Sequence, residues 1–245
     1  MHNLDEKYHY LEEVNLGILR NIPEGTMEIL DVGCGYGALG EELVKKGHTV
    51  LGIDISRDAI EVAKKRITKA LVADAVDIAS LPKEIREKKY DIIIFSDIIE
   101  HIANPLKMLK DYKIFLKPEG KIIVSVPNIA TLPMRLKLLI GNFDYTDTGT
   151  LDRTHLRFFT RKSAKKLIKK AGYEIEKVDI TPNIIRPVFP LLRKKLVKEN
   201  NPRAVIESPK YRLYKKRVLP LERKISKIWG NGLSFQFIFV ARVDK

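Results

Sequence analysis

The sequence predicts an α/β fold: a doubly wound, mostly parallel sheet with an antiparallel last strand and a helical, basic insertion. Three observations carry this expectation. Short apolar segments alternate with helical stretches through the first 127 residues. A glycine-rich turn, DVGCGYG, follows the first of those segments, where a strand feeds a helix. Another segment, YDIIIFS, is apolar almost throughout, the pattern of a parallel strand covered on both faces.

Taken in order, Tyr8, Leu11, Ile18 and Ile22 have helical spacing that Pro23 and Gly25 end, giving an N-terminal helix within residues 1–25. MEILDVG is the first strand, and ELVKKG ends a helix that Gly47 closes. TVLGIDI, ALVADA and YDIIIFS are the next three strands, with a helix at RDAIEVAKKRI. A helix is expected from Asp97 to Leu116, broken at Asn104-Pro105, then a turn at KPEG and a fifth strand at KIIVSVPN. These elements make up a core at residues 26–127, followed by an acceptor loop at 128–160. Thr160 can cap a helix ending at Gly172, YEIEKVDI is a sixth strand, and SFQFIFVARV alternates as a last one. Residues 181–232 are a basic helical insertion, and residues 1–245 are expected to form one domain.

Composition narrows the classes. Cys34 is the single cysteine, so an internal disulfide and a cysteine metal cluster are excluded and a reducing, cytoplasmic setting is expected. The polar start MHNLDEKYHY is unlike a secretory signal, and no apolar run is long enough to span a bilayer. Abundant Lys, Glu and Ile with a single glutamine, Gln236, point to a heat-loving source. The net charge is +14, and most of it is local: residues 182–232 hold 14 Lys or Arg against three acids. That segment is expected to meet an anionic partner or surface.

Chemistry gathers at the strand ends. Gly33 and Gly35 let the backbone turn tightly and approach a ligand. Asp31, just before them, would repel a pyrophosphate and attract an ammonium group, which disfavours NAD despite a loose G-x-G-x-x-A match. Asp54 ends the second strand, placed to accept both hydroxyls of a ribose, and Asp74 ends the third, near an adenine amino group. In sequence order ILDVGCGYG, VLGIDIS, VADA, YDIIIFSDIIEHI and LKPEGKIIVSVPN resemble the motifs of the class I S-adenosylmethionine (SAM) methyltransferases, across residues 29–127. The resemblance implies a Rossmann-like fold with SAM as cofactor. It places Asp31 and the Gly33–Gly35 backbone on the methionine part, Asp54 on ribose, Asp74 and Ala75 on adenine, and Ser96 along the methionine side.

Asp97, Glu100 and His101 stand at i, i+3 and i+4, so a helix would bring them to one face as a mixed oxygen and nitrogen ligand set. This stretch resembles two metal-dependent O-methyltransferase groups, those of ubiquinone biosynthesis and the small-RNA 3′-terminal 2′-O-methyltransferases. Both add a histidine after the fifth strand, before an aromatic and a helix start, as His155 precedes Phe158, Phe159 and Thr160. Both have Glu where this chain has the shorter Asp97. The resemblance implies Mg or another divalent metal on Asp97, Glu100, His101 and His155, lowering the pKa of an acceptor hydroxyl. Two other readings stay open. His155 or His101 can serve as general base without a metal. Alternatively Glu100 hydrogen-bonds backbone, His101 packs, and an Asp152–Arg153 ion pair fixes the loop.

RPVFPLLRKKLVKE and VLPLERKISKIWGNG are basic and amphipathic, the second with Val218, Leu221, Ile225 and Ile228 at helical spacing. They fit a cap over the acceptor pocket with solvated charges, a peripheral contact with anionic lipid through residues 182–232, or RNA. Trp229 and few neighbouring aromatics offer little for base stacking. The loop GNFDYTDTGTLDRTHLRFFT resembles methyltransferases encoded with, or fused to, glycosyltransferases, which implies a sugar or lipid-linked glycan hydroxyl. The function expected is SAM-dependent O-methylation of a small-molecule, glycan or lipid-linked acceptor. The alternatives are RNA 2′-O-methylation and a non-catalytic SAM-binding subunit.

Overall fold

A computed structural model describes residues 14–182 and 213–244. Seven strands form one sheet: β1 (Glu28–Val32), β2 (Thr49–Asp54), β3 (Lys69–Val72), β4 (Tyr90–Ser96), β5 (Leu116–Pro127), β6 (Tyr173–Pro182) and β7 (Ser234–Val243). Their spatial order is β3-β2-β1-β4-β5-β7-β6. β1 to β5 pair in parallel, while β7 runs antiparallel to both β5 and β6.

Helices cover both faces. On one lie α1 (Leu16–Leu19), α2 (Ala38–Lys45) and α3 (Arg57–Ala63), whose Ile18, Leu43 and Ile60 pack with Ile92 and Ile94 of β4. The other holds α4 (Lys83–Arg86), α5 (Pro105–Asp111) and α7 (Arg161–Lys170), with Ile93 and Phe95 of β4 in their core. Phe95 meets Tyr112 edge to face at 5.3 Å. The apolar run of β4 is therefore buried twice over, each full side chain contributing about 1.5–3 kcal/mol. Between β5 and α7 lies α6 (Leu132–Leu139), and a π-helical turn at Tyr214–Val218 leads into α8 (Leu219–Ile228) and α9 (Gly230–Leu233).

Several local expectations change. The described part of the N-terminal helix is only the four-residue α1, capped by Asn15; residues 1–13 lie outside the described residues. KPEG is not a free turn: it belongs to β5, where the register against β4 shifts between Tyr90 and Ile92. The stretch after β4 breaks at Asn104-Pro105 as expected, with Asn104 capping α5, but the parts before and after α5 are 3-10 turns at Ile99–His101 and Tyr112–Phe115. The loop at 128–160 contains α6, which was not anticipated. Thr160 does cap α7, reciprocally with Ser163.

The basic insertion departs furthest. Its first half, including RPVFPLLRKKLVKE, lies outside the described residues. In α8 the anticipated apolar stripe faces outward, with Leu221 59% and Ile228 86% exposed, while Glu222 and Ser226 are buried. The polar side is drawn in by ionic partners. Arg223 donates to both oxygens of buried Asp179 on β6, at 2.6 and 2.7 Å. Asn21 also donates to Asp179, and Tyr214 donates to Glu222 at 2.6 Å. Rupturing one side of such a buried pair costs about 3 kcal/mol or more, enough to outweigh the pull of the aliphatic stripe on a short helix.

Candidate active site

The carboxyl ends of the parallel strands carry the candidate site. Neighbours β3, β2, β1 and β4 bring Asp74 with Ala75, Asp54, Asp31 with the glycine turn, and Ser96 into a row. Three strand spacings of about 4.8 Å make that row roughly 14 Å long, room for a nucleoside joined to an amino acid. Gly33, at φ +73°, has a backbone that L side chains rarely adopt, and a Cβ there would also push on Ile98 Cδ1 at 2.6 Å. Its N–H and that of Cys34 donate to the Ile53 carbonyl, which folds the turn over β2.

Asp54 is held from both sides: the Gly35 N–H donates to Oδ2 and the Ser56 N–H to Oδ1, each at 2.9 Å. Asp74 lies two residues past the end of β3 and is exposed, its Oδ1 accepting from the Val76 N–H. Half-buried Ala75 accepts the Tyr112 hydroxyl at its carbonyl, 3.0 Å away. Ser96 is the half-buried last residue of β4, in register with Ser125.

Buried Asp31 is pushed up to about 7, first by burial and then by the neighbouring Asp54 charge. The ordinary value is 3.8, so folding takes up a proton between the two values, and stability falls as pH rises across that window. The ionised form is the one an ammonium attracts. SAM affinity is therefore expected to climb from about pH 6 to about pH 7.5. Asp31→Asn should flatten that profile in calorimetry and be the more stable protein above neutrality. A wild-type affinity flat over the same range would remove Asp31 from the contact.

Beyond β4 the chain reverses sharply. Asp97 is the one non-glycine residue with positive φ, +52°, among the described residues. Its N–H donates to Ser125 Oγ at 3.0 Å, and its Oδ2 accepts from Gln236 Nε2 at 2.8 Å. The helical face expected to align Asp97, Glu100 and His101 therefore does not form. Instead Glu100, His101 and His155 converge, one ligand atom of each lying within 4.8 Å of the others.

The three groups differ in their support. Glu100 is buried, and neither carboxylate oxygen has a hydrogen-bond partner among the described residues. Burial, followed by the Asp97 charge, holds its pKa well above the ordinary value. His101 Nδ1 lies 3.3 Å from the Thr154 carbonyl, and His155 Nδ1 lies 3.2 Å from the Thr150 carbonyl. Carbonyls only accept, so both rings carry their proton on Nδ1 and leave an Nε2 lone pair. Both pKa values are lowered, chiefly by burial, and for His101 also by the neighbouring His155. The rings meet edge to face at 4.8 Å.

Thr150 and Thr154 were not singled out in the sequence, and a backbone carbonyl leaves no signature there. The anticipated Asp152–Arg153 pair is absent among the described residues. Arg153 binds Asp147 at 2.8 Å, and Asp152 accepts the Thr154 hydroxyl at 2.6 Å. Beside His155 a small recess is lined by Pro127, Ile129, Thr150, Arg157, Phe158 and Phe159. Phe158 extends outward to Phe143, ring centroids 5.7 Å apart.

Comparison with known proteins agrees with this arrangement. A family described as "Methyltransferase domain" matches residues 6–178. A ubiquinone biosynthesis O-methyltransferase of Actinobacillus pleuropneumoniae is 31% identical over 141 residues, 54% of this chain and 60% of that protein. One from Coxiella burnetii is 37% identical over 103 residues, 41% of this chain and 43% of that protein. The chain thus spans about half the length of these curated relatives. Among solved structures, a SAM-dependent methyltransferase from Archaeoglobus fulgidus superposes with TM-score 0.59 at 20% identity, covering 91% of this chain and 90% of that one. One from Thermotoga maritima gives 0.57 at 16% identity, covering 94% and 86%. At such identities these two likenesses concern the fold. With the family match spanning most of the chain, and the acids and glycine turn placed in one row, the chain belongs to the methyltransferase-domain family.

Proposed function

We propose that this enzyme methylates a hydroxyl of a small-molecule, glycan or lipid-linked acceptor, with a divalent cation held by Glu100, His101 and His155. The observation that carries this reading is the Glu100 carboxylate, buried without a hydrogen-bond partner beside two imidazoles whose Nε2 lone pairs are free. A buried carboxylate in that state is costly unless a cation meets it, and carbonyl-anchored Nδ1 protons are the usual support of metal-binding histidines. The set is small, hard to mixed in character, and suited to Mg, Mn, Fe or Zn. Asp97, turned toward Gln236, is left outside this proposed set. The curated relatives carry ubiquinone biosynthesis O-methyltransferase as their name, which favours oxygen over nitrogen as the receiving atom.

Each part of the chain then has a task. Asp31, the Gly33–Gly35 turn and Asp54 hold SAM, which supplies a methyl group on a sulfonium. Bound at the cluster, the cation would supply a lowered pKa for the acceptor hydroxyl. His155 borders both the cluster and the recess: with its Nε2 lone pair on the cation the acidified hydroxyl would lose its proton to water, and only without a cation would that lone pair take the proton itself. Phe158 and Phe159 line the same recess.

Labelled SAM offered to phenol, sugar, lipid and RNA pools tests the reading. Label is expected in a hydroxyl-bearing small-molecule or lipid pool, lost in excess EDTA and restored by added divalent cation. Undiminished transfer in EDTA would end the metal reading and leave His155 or His101 as a plain general base. Label confined to RNA would end the small-acceptor reading.

A further inference from the structure

The surface beside the recess is inverted. Two helices there turn aliphatic side chains outward, and α8 also keeps polar ones inside. On α8, Leu221, Ile225 and Ile228 are exposed while Glu222 and Ser226 are buried. On α6, Leu136, Leu138 and Leu139 are exposed, as is Ile140 just beyond it. The two helices share one surface: α6 packs against α9, and the Arg135 guanidinium lies 5.9 Å from the centre of the half-exposed Trp229 ring. Asn128 pins this surface to the site. Its side-chain amide donates to the Asn231 and Ser234 carbonyls at 2.9 Å, and its backbone bridges Phe159 at the recess.

Charge says what such a surface meets. Arg135, Lys137, Lys216, Arg217, Lys224 and Lys227 are all exposed around it. Residues 129–143 contain no acid, and in residues 213–233 the single acid, Glu222, is buried. We propose that this face of α6 and α8, with Trp229, docks on an anionic lipid bilayer and brings the recess to the membrane surface. Aliphatic side chains ringed by cations are what an interfacial helix presents to acyl chains and acidic headgroups. A second copy of the chain would set cations against cations. Residues 183–212 have the same sign, with eight Lys or Arg against two acids, so they bring no counter-charge. A polynucleotide would use the cations but gain nothing from the leucines and isoleucines. Among the described residues no helix is long and apolar enough to cross a membrane.

Vesicles of phosphatidylcholine alone, or mixed with phosphatidylglycerol, test this with the full chain and no methyl acceptor. Failure here would therefore leave the methyl-transfer reading standing. Trp229 is the only tryptophan, so its emission reports the face directly. A blue shift and co-sedimentation are expected with the anionic vesicles only, both weakened by salt. Leu139→Asp with Ile228→Asp should lower partition at least about tenfold, as should Lys224→Glu with Lys227→Glu, with SAM affinity unchanged in both. The proposal is overturned if Trp229 emission does not move, or if the apolar double variant binds vesicles like the wild type. It is equally overturned if the free protein is a dimer that Ile228→Asp dissolves.

Discussion

Asp54→Ala is expected to weaken SAM binding about hundredfold or more. The carboxylate sits at the end of β2 with one oxygen on the Gly35 N–H and the other on the Ser56 N–H. That grip fixes its plane, so it needs no reordering when two ribose hydroxyls arrive. Hydrogen bonds to a charged group contribute about 1.5–3 kcal/mol each, and two of them reach the hundredfold range. The same substitution releases the Gly35 N–H, so the glycine turn loosens and the loss extends to the methionine part. Asp54→Asn keeps an acceptor and should fall between the two. A second readout is built in: Asp54 helps to raise Asp31, so the Asp31 titration should move down in Asp54→Ala. Calorimetry giving the alanine variant wild-type affinity would remove Asp54 from the cofactor site.

His155→Ala is expected to lower methyl transfer about a thousandfold while SAM affinity stays within about twofold. His155 stands with Glu100 and His101 and borders the recess, apart from the row of acids on the other strands. Glu100→Gln separates the proposed metal from mere packing. Burial holds the Glu100 pKa well above its ordinary value. Without a cation, stability should therefore fall as pH rises from the ordinary carboxyl value through the raised one. In EDTA, Glu100→Gln should remove the Glu100 share of that slope, leaving that of Asp31, and raise Tm at neutral pH, because the buried carboxyl no longer has to take up a proton on folding. With divalent cation added, the wild type should gain Tm and the variant should not. A wild-type Tm indifferent to Mg, Mn and Zn would dismiss the metal, whatever the activity shows.

The sheet was legible because its signals are local. β4 reads as a doubly covered strand from its own apolar residues, and β7 from its alternation. Asp31, Gly33 and Asp54 were legible for the same reason, since a strand end and a glycine turn place them without outside help. The reach of Asp97 was not. Its left-handed backbone is tied to Ser125 and Gln236, which lie 28 and 139 residues away, and no helical spacing rule encodes that. α8 teaches a similar lesson. Val218, Leu221, Ile225 and Ile228 do recur at helical spacing, but Asp179 on β6 decides which side turns inward. The KPEG turn became a register shift within β5 because Tyr90 and its neighbours on β4 stay paired around it.

The placement of β7 between β5 and β6 has a kinetic consequence. During synthesis β6 emerges while its only neighbour in the sheet is still unmade, and residues 183–233 separate the two. β5 has to wait with one edge open for the same strand. The nascent chain can thus close the five-stranded, cofactor-binding part early, and β6 becomes a latecomer that joins only as a hairpin-like partner of β7. Pairing across so long a separation is slow, because the loop must close before any contact rewards it. Folding should then show two phases, a fast one for the parallel strands and a slower one that seats Gln236 beside Asp97.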